Sequence, residues 1–220
     1  MLEALDVDDL PGAAGTLLAA FIIGAIPFSN LVARRARGVD LRDVGSGTVS
    51  GTALYRVAGF GPLALGGVLD VAKGSVGVLL AGRGHDPALA ALAGGAAVAG
   101  HNWSPFLKGA GGRGISPALG ALFAWQWIGG VVLLAGLAVG RVLRSTGLVS
   151  FGADVALVPV LAVTRGAAGA WAGAAVLAPM VVKRVMGNDP PPRRHLRSYA
   201  RRLLLDNDGD EAPDAEGTPP

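Results

Sequence analysis

The polar segment of residues 100–114 contains the residue types that hold an anion. It lies between two apolar runs and contains five glycines. Glycines let successive backbone N–H groups turn toward one anion, while Lys108 and Arg113 supply positive charge. Ile115-Ser116-Pro117 then indicates a helix start, whose free N–H groups also favour an anion. We interpret the segment as a phosphate cradle, and a flexible cytoplasmic loop with two basic anchors explains the same spacing equally well. The predicted phosphate-binding residues are Lys108, Gly111, Gly112, Arg113 and Gly114.

A second glycine-rich polar segment, residues 45–56, combines backbone freedom with hydroxyl groups and one cation. Ser46, Thr48 and Thr52 provide the hydroxyls, and Arg56 provides the charge. Taken singly, Ser46 or Thr48 is equally well explained as a turn residue or a helix cap.

Ionisable groups also occur inside the apolar runs. Asp70 and Lys73 are three residues apart, so they share one face of a helix and can form an ion pair. Such groups are costly inside a membrane and are therefore candidates for function. A buried structural ion pair is an equally good explanation. Asp154 is a third such group, and the sequence shows no obvious partner for it.

The composition predicts an all-α polytopic membrane protein. The chain is 51% hydrophobic and 16% charged, with a mean hydropathy of +0.50, and apolar runs recur along nearly its whole length. Its 35 glycines are typical of helices that pack closely in lipid. There is no cysteine and the three histidines are scattered, so we predict no disulfide, no metal site and no cofactor.

The isoelectric point near 9.8 raises the question of nucleic-acid binding. The basic residues flank the apolar runs and lack interleaved aromatic residues, which indicates membrane orientation instead. Sixteen of the 19 basic residues face the cytoplasm if seven helices cross with the N-terminus outside and the C-terminus cytoplasmic. Only Arg83 and Arg165 then lie outside, with Lys73 in the membrane. Both glycine-rich loops are cytoplasmic in this arrangement.

About seven transmembrane helices are predicted, several of them short. Residues 117–142 fit one helix or two, and a break near Gln126-Trp127 returns Arg141 and Arg144 to the inner side. Several runs are shorter than the roughly 20 residues of a straight crossing, so we expect half-buried or tilted helices. The predicted spans are 12–33, 57–82, 87–99, 117–142 with its break, 148–163 and 167–182.

Four regions follow from these patterns. Residues 1–11 form an acidic extension without the basic start of a cleavable signal. Residues 12–185 form the membrane domain. Residues 186–205 contain a basic amphipathic helix expected to lie against anionic lipid headgroups. Residues 206–220 form an acidic, proline-containing tail for which we predict disorder.

Three motifs occur together in this order. The first is Gly24-Ala25-Ile26-Pro27-Phe28-Ser29, continued by Asp40-Leu41-Arg42-Asp43-Val44-Gly45-Ser46-Gly47 up to Arg56; the second is Asp70-Val71-Ala72-Lys73-Gly74; the third is Gly100-His101-Asn102-Trp103-Ser104-Pro105-Phe106-Leu107-Lys108, followed by Gly111-Gly112-Arg113-Gly114. With these motifs the chain resembles the bacterial membrane glycerol-3-phosphate acyltransferases that use acyl phosphate as donor. The resemblance covers about residues 17–184.

The resemblance implies a seven-helix protein of the bacterial inner (plasma) membrane. Its substrates would be acyl phosphate and glycerol 3-phosphate, and its product lysophosphatidic acid for phospholipid synthesis, without metal or cofactor. Ser46 and Arg56 would line the active site, and Arg113 would grip phosphate where the family usually has lysine. Ser150 is similar to the family's serine at the start of the sixth helix. His195 matches its C-terminal histidine, with one residue inserted after it.

The departures from the family pattern are specific. Thr48 and Ala53 stand where the family has asparagines, whereas Thr52 is retained. Pro117 replaces a common small polar residue, and the asparagine expected after the C-terminal histidine is missing; Ser198 and Tyr199 stand nearby. The chain is therefore either a divergent enzyme or a paralogue with altered substrate.

For an acyltransferase, the protein has mainly to hold two anions together and orient the attacking hydroxyl. No Ser-His-Asp arrangement is evident, so a covalent acyl-enzyme is not predicted. The candidate bases are His101, His195 and the donor phosphate itself, and a lone histidine beside a membrane-edge loop is more often structural than catalytic. The predicted catalytic residues are Ser46, Arg56, His101, Ser150 and His195, and the supporting polar residues are Thr48, Thr52, Asp70, Lys73 and Asn102.

The alternative is a small membrane transporter or channel for an anionic solute. Short helices and the intramembrane Asp70, Lys73 and Asp154 suit a site at the membrane midplane. Nearly all anion-binding residues lie on one side, however, and no inverted repeat is visible. A scaffold that lost catalysis together with the two asparagines is a third possibility.

The orientation can be tested with single cysteines, because the chain has none of its own. Cysteines at Ser50, Ala110 and Ala212 should resist a membrane-impermeant thiol reagent in intact cells and react after permeabilisation. Labelling of the first two from outside would overturn the seven-helix assignment.

Overall fold

The computed structural model describes residues 10–82, 86–188 and 196–206, and within them the chain is helical and contains no strand. The all-α prediction is confirmed. The helices are α1 (Leu10–Ala25), α2 (Phe28–Arg37), α3 (Gly51–Ala58), α4 (Phe60–Leu80), α5 (Pro87–Asn102), α6 (Ile115–Trp125), α7 (Trp127–Val142), α8 (Thr146–Met186) and α9 (Leu196–Leu205), with short 3₁₀ turns at Leu41–Asp43 and Pro105–Leu107.

The first predicted span, residues 12–33, is broken into two helices. α1 ends at Ala25 and α2 begins at Phe28, with Pro27 at φ −88° and ψ 66° between them. Proline has no N–H to continue the helical ladder, so the chain turns there. α2 ends at Arg37, and the left-handed φ of 70° at the following Gly38 lets its N–H bond back to the Arg34 carbonyl.

The second predicted span, residues 57–82, begins later than expected. A separate short helix, α3, occupies Gly51–Ala58, and α4 starts at Phe60. The hydroxyl of Ser50 accepts from the N–H of Ala53, so Ser50 is the helix cap rather than Ser46 or Thr48. Gly59, at φ 83°, supplies the turn between the two helices.

Two further breaks fall where the sequence suggested them. Gln126 leaves helical geometry at φ −124° and ψ 62°, so residues 117–142 form two helices, α6 and α7. Gly166, at φ 65° and ψ −153°, interrupts α8 and separates two halves close to the predicted spans 148–163 and 167–182.

Helix lengths and surface chemistry suit a bilayer. The helical stretches Leu10–Arg37, Phe60–Leu80 and Thr146–Met186 are long and apolar enough to cross a membrane, and α6 and α7 are shorter apolar helices. Large apolar side chains face outward, among them Phe60, Val142 and Val163, which are 74%, 81% and 88% exposed. An apolar belt of this kind is expected of a surface in contact with lipid.

Helix α5 lies at the centre, packed against α1, α4, α6 and α8. Small residues permit this: Gly95 lies against the backbone of Ala175 in α8, and Gly100 lies against the backbone of Phe21 in α1. The sequence predicted that this span ends at Ala99, but α5 continues to Asn102. That correction makes His101 and Asn102 helical residues, held rigidly at the end of the central helix.

Helix α9 packs against α8. The Arg184 guanidinium donates to the carbonyls of Gly147 (2.9 Å) and Leu203 (3.0 Å), and that of Arg202 donates to the Met186 carbonyl (2.8 Å). Arg184 is also close enough to interact with the buried carboxyl of Asp154, which had no obvious partner in the sequence. Basic residues thus fasten the tail helix to the protein. The contact of this helix with lipid headgroups remains a prediction.

Two glycines of α4 give a matched test of the packing. A Cβ on Gly74 would overlap the backbone of Pro117 in α6, whereas a Cβ on Gly67 would meet nothing within 4 Å. Gly74→Ala should destabilise the fold by about 1–3 kcal/mol through overpacking. Gly67→Ala should be neutral or stabilise by up to about 1 kcal/mol through helix propensity. Thermal unfolding in detergent measures both, and equal behaviour of the two variants would contradict the α4–α6 contact.

Candidate active site

The two glycine-rich loops lie side by side. The N–H of Val49 in the first loop donates to the carbonyl of Gly111 in the second at 3.1 Å. The second loop is closed by a bond from the Ser104 N–H to the Ala110 carbonyl (3.1 Å). The Ser104 hydroxyl donates to the Ala25 carbonyl at the end of α1 (2.6 Å). The break after α1 therefore anchors the second loop.

Beneath the loops, Asp70 is the centre of a buried polar cluster. Its Oδ1 forms an ion pair with Lys73 Nζ at 2.7 Å, and its Oδ2 accepts from the Ser29 hydroxyl at 2.5 Å. Lys73 Nζ also donates to the Ile26 carbonyl (2.7 Å), which is available because the helix breaks at Pro27. The side chains of Asp70 and Lys73 are 3% and 1% exposed. The predicted pairing is confirmed, and the pair joins α4 to both sides of the α1–α2 break.

His101 lies between this cluster and the second loop. Its Nδ1 is 3.9 Å from Asp70 Oδ1. On its other side, a Cβ on Gly112 would overlap Nε2 of the imidazole, so the close approach requires glycine at that position. A cavity of about 10 Å³, lined by Ser29, Asp70, Lys73 and His101 among others, has the size of roughly one water molecule.

The backbone of the second loop is largely engaged within the protein. Gly111 N–H donates to the side-chain oxygen of Asn188 (3.0 Å), and Gly112 N–H donates to the His101 carbonyl (3.3 Å). These are two of the N–H groups that the sequence assigned to a phosphate. Lys108 is exposed and adopts a left-handed φ of 58°. Gly114, at φ 86°, passes so close to the Asn102 amide that a Cβ there would contact it.

Arg113 is buried, and its guanidinium has an anionic partner. Nε lies 2.8 Å from the carboxylate of Asp206, the residue after α9, and one terminal nitrogen donates to the Lys183 carbonyl at 3.1 Å. Lys183 is itself buried, with Nζ 5.5 Å from the centre of the Trp103 ring. Arg113 of the second loop therefore lies beside an oxyanion, and Lys183 of α8 places a second buried cation against Trp103 of the same loop.

In the first loop, the Ser46 hydroxyl donates to that of Thr48 at 3.0 Å, and both residues are half-buried. Thr52 and Arg56 are exposed on α3. Two other predicted residues bond to helix backbone: Ser150 donates to the Thr146 carbonyl within α8 (2.5 Å), and Asn102 of α5 donates to the Pro179 carbonyl of α8 (2.8 Å). His195 lies outside the described residues.

Beside the loops is an open groove of about 360 Å³. Its apolar walls include Ile26, Leu31 and Phe106, and two arginines, Arg34 and Arg42, reach it. Asp40 pairs with both arginines, at 2.7 Å for Arg42. The hydrogen bonds from Arg42 hold the pKa of the Asp40 carboxyl well below its usual range, so this group stays ionised.

Sequence reasoning missed several residues of the site. Ser29 and Ser104 occur in the motifs and Asn188 does not, but the sequence assigned a role to none of the three, because their partners are 41 to 141 positions away. Lys183 lies at the end of a predicted span, so the sequence analysis counted it only among the basic residues that indicate membrane orientation. Asp40 and Arg42 are two residues apart, and this spacing was the available sequence signal for the pairing of Asp40 with arginine.

The comparisons with known proteins agree with one another. A family model described as glycerol-3-phosphate acyltransferase matches residues 14–188. The chain is 36% identical to the glycerol-3-phosphate acyltransferase of Synechococcus sp. over 168 residues, which is 76% of this chain and 84% of that protein. It is 37% identical to that of Jannaschia sp. over 174 residues, 79% and 85% of the two chains. The crystal structure of PlsY, an integral membrane glycerol 3-phosphate acyltransferase, in its glycerol 3-phosphate form has a TM-score of 0.72 at 26% identity and covers 89% of this chain and 93% of its own.

The buried ion pair can be tested by comparing a single and a double variant. Lys73→Met leaves the Asp70 carboxylate buried without its cation, which should cost about 3–5 kcal/mol of stability. Asp70→Asn combined with Lys73→Met leaves no buried charge and should recover most of that loss. Thermal unfolding in detergent measures the effect, and a Lys73→Met protein as stable as the parent would contradict it. A stable but inactive double variant would show that the pair also serves the reaction.

Proposed function

This chain belongs to the glycerol-3-phosphate acyltransferase family, and we propose that it transfers a fatty acyl group from an acyl phosphate to the 1-hydroxyl of glycerol 3-phosphate. It is a membrane enzyme with the fold of PlsY. The proposed product is lysophosphatidic acid, a precursor of phospholipids. The reaction requires neither a metal nor a cofactor, because the acyl phosphate is already activated.

The observation that carries this proposal is the ion pair between Arg113 and Asp206. A buried guanidinium in the second loop already forms an ion pair with a carboxylate, whose oxygen lies 2.8 Å from Nε. Phosphate is a stronger partner for such a group, since it presents more oxygens in bidentate geometry. We propose that the phosphate of glycerol 3-phosphate takes the place of the Asp206 carboxylate, with Lys108 and Arg56 adding charge at the open side.

The proposed chemistry is a direct displacement. The 1-hydroxyl oxygen of glycerol 3-phosphate forms a bond to the acyl carbon, and the bond from that carbon to the phosphate oxygen breaks. The hydroxyl proton leaves to the departing phosphate or to a nearby base. His101 is the described histidine that supports a role in proton transfer, because its Nε2 lies against Gly112 of the second loop. Ser46, half-buried beside Thr48, supports alignment of the acceptor.

The groove beside the loops supports the same proposal. A donor with an acyl chain and an anionic head needs apolar walls and cations at one end. The apolar walls are formed by Ile26, Leu31 and Phe106, and the cations are Arg34 and Arg42. We propose that the loops face the cytoplasm of a bacterium across its plasma membrane, with the N-terminus outside, as the distribution of basic residues favours.

The transporter alternative loses its main support. Asp70 and Lys73, which suggested a site at the midplane, neutralise each other at 2.7 Å, and the matched relatives carry the name of an acyltransferase. The direct assay is acyl transfer by the purified protein in lipid, given acyl phosphate and glycerol 3-phosphate. Transfer only to another polyol phosphate would indicate an altered acceptor, and no transfer would contradict the proposal.

Arg113 gives the sharpest test of the phosphate site. Arg113→Ala removes a charge-assisted contact and should lower kcat/KM for glycerol 3-phosphate about 30- to 1000-fold, equivalent to roughly 2–4 kcal/mol. Arg113→Lys keeps the charge and matches the usual family residue, so it should recover much of the activity. Steady-state kinetics at limiting glycerol 3-phosphate measures both, and full activity of a normally inserted Arg113→Ala protein would mean that Lys108 or Arg56 holds the phosphate.

Asp206→Asn is the matched control for Arg113→Ala. It removes the carboxylate that pairs with Arg113 and leaves the guanidinium in place. If Arg113 binds phosphate, this variant should keep or lower the KM for glycerol 3-phosphate. If Asp206→Asn lowers kcat/KM for glycerol 3-phosphate as much as Arg113→Ala does, the ion pair is structural and the phosphate binds elsewhere.

A further inference from the structure

We propose that Asn188 is a positioning residue that holds the two glycine-rich loops in register for acyl transfer. This inference rests on the proposed function, because the loops carry Ser46 and Arg113. Asn188 is absent from the three sequence motifs and follows the end of α8. Its side chain nevertheless reaches both loops.

The contacts of the Asn188 amide use both of its ends. Its oxygen accepts from Gly111 N–H at 3.0 Å, and its nitrogen donates to the carbonyls of Gly47 (2.9 Å) and Gly111 (3.1 Å). Only an amide offers an acceptor and two donors in one plane. A carboxylate would set an oxygen against two carbonyl oxygens, and a hydroxyl could not span both loops.

Besides Asn188, a backbone bond and an apolar cluster that includes the buried side chains of Val49 and Leu107 join the loops. Between them, a backbone bond runs from Val49 N–H to the Gly111 carbonyl at 3.1 Å. Gly47, at φ 67°, has no side chain to pack, and a Cβ on Gly111 would overlap the backbone of His101 and Asn102. Glycine segments lose the most freedom on ordering, so a tie from outside the loops has a large effect on their geometry.

Asn188 is well placed to supply that tie. Gly187 follows the last residue of α8 at φ 67°, and its N–H donates to the Lys183 carbonyl at 2.9 Å. The same Lys183 carbonyl accepts from Arg113. The end of α8 therefore fixes Arg113 directly and fixes Gly47 and Gly111 through Asn188. Gly47 is adjacent to Ser46, so the separation between the hydroxyl and guanidinium sites depends on this helix end.

The kinetic test uses Asn188→Asp, which keeps the acceptor for Gly111 N–H but loses both donors. Each loop keeps its own substrate contacts, so the KM for glycerol 3-phosphate should change less than about threefold, while kcat falls about 10- to 100-fold through misalignment. Asn188→Gln keeps the amide on a longer chain and should recover part of kcat. Met186→Ala, an exposed position at the same helix end, is the control and should leave kcat unchanged.

A second measurement does not depend on activity. Because the chain contains no cysteine, spin labels at Asp43→Cys and Ala110→Cys report the distance between the loops alone. In the Asn188→Asp background this distance distribution should broaden or shift to longer values, and Met186→Ala should leave it unchanged. A distribution unaltered by Asn188→Asp, or a kcat within about twofold of the parent, would overturn the inference. If the distribution broadens but the parent shows no acyl transfer, the proposed function fails and the tie between the loops stands.

Discussion

The burial of the Asp70 carboxylate is the constraint on which the rest of the site depends. A charged group at this depth requires a cation and hydrogen-bond donors close by, and Lys73 and Ser29 supply them. Lys73 in turn needs an acceptor, and the break of the first helix at Pro27 provides the Ile26 carbonyl. One carboxylate thereby fixes the approach of three helical segments and the floor beneath His101.

The basic residues at the ends of the spans have two uses. Their distribution sets an expected orientation, as in most membrane proteins. Several are nevertheless buried, and their guanidinium groups donate to backbone carbonyls near helix ends: Arg113 to Lys183, Arg184 to Gly147 and Leu203, and Arg202 to Met186. The same charges therefore bind the tail helix and the second loop to the end of α8.

The sequence was sufficient for the architecture and for part of the site. Apolar runs predicted the spans, the i,i+3 spacing predicted the Asp70–Lys73 pair, and three motifs identified the family. The helix limits were less predictable, since close packing continues α5 through His101 and Asn102. Arg113 with Asp206, and Asn188 with the two loops, could not be predicted, because the partners are far apart in the chain and only tertiary contacts bring them together.

The interruption of α8 at Gly166 has a mechanical consequence. The half after Gly166 contacts three parts of the site: the Pro179 carbonyl accepts from Asn102, the Lys183 carbonyl accepts from Arg113, and Asn188 just beyond the helix bonds to both loops. Transmembrane helices adjust their tilt to the thickness of the hydrocarbon layer, and a hinge residue lets one half tilt without the other. Any displacement of this half would therefore reach Asn102, Arg113 and both loops together.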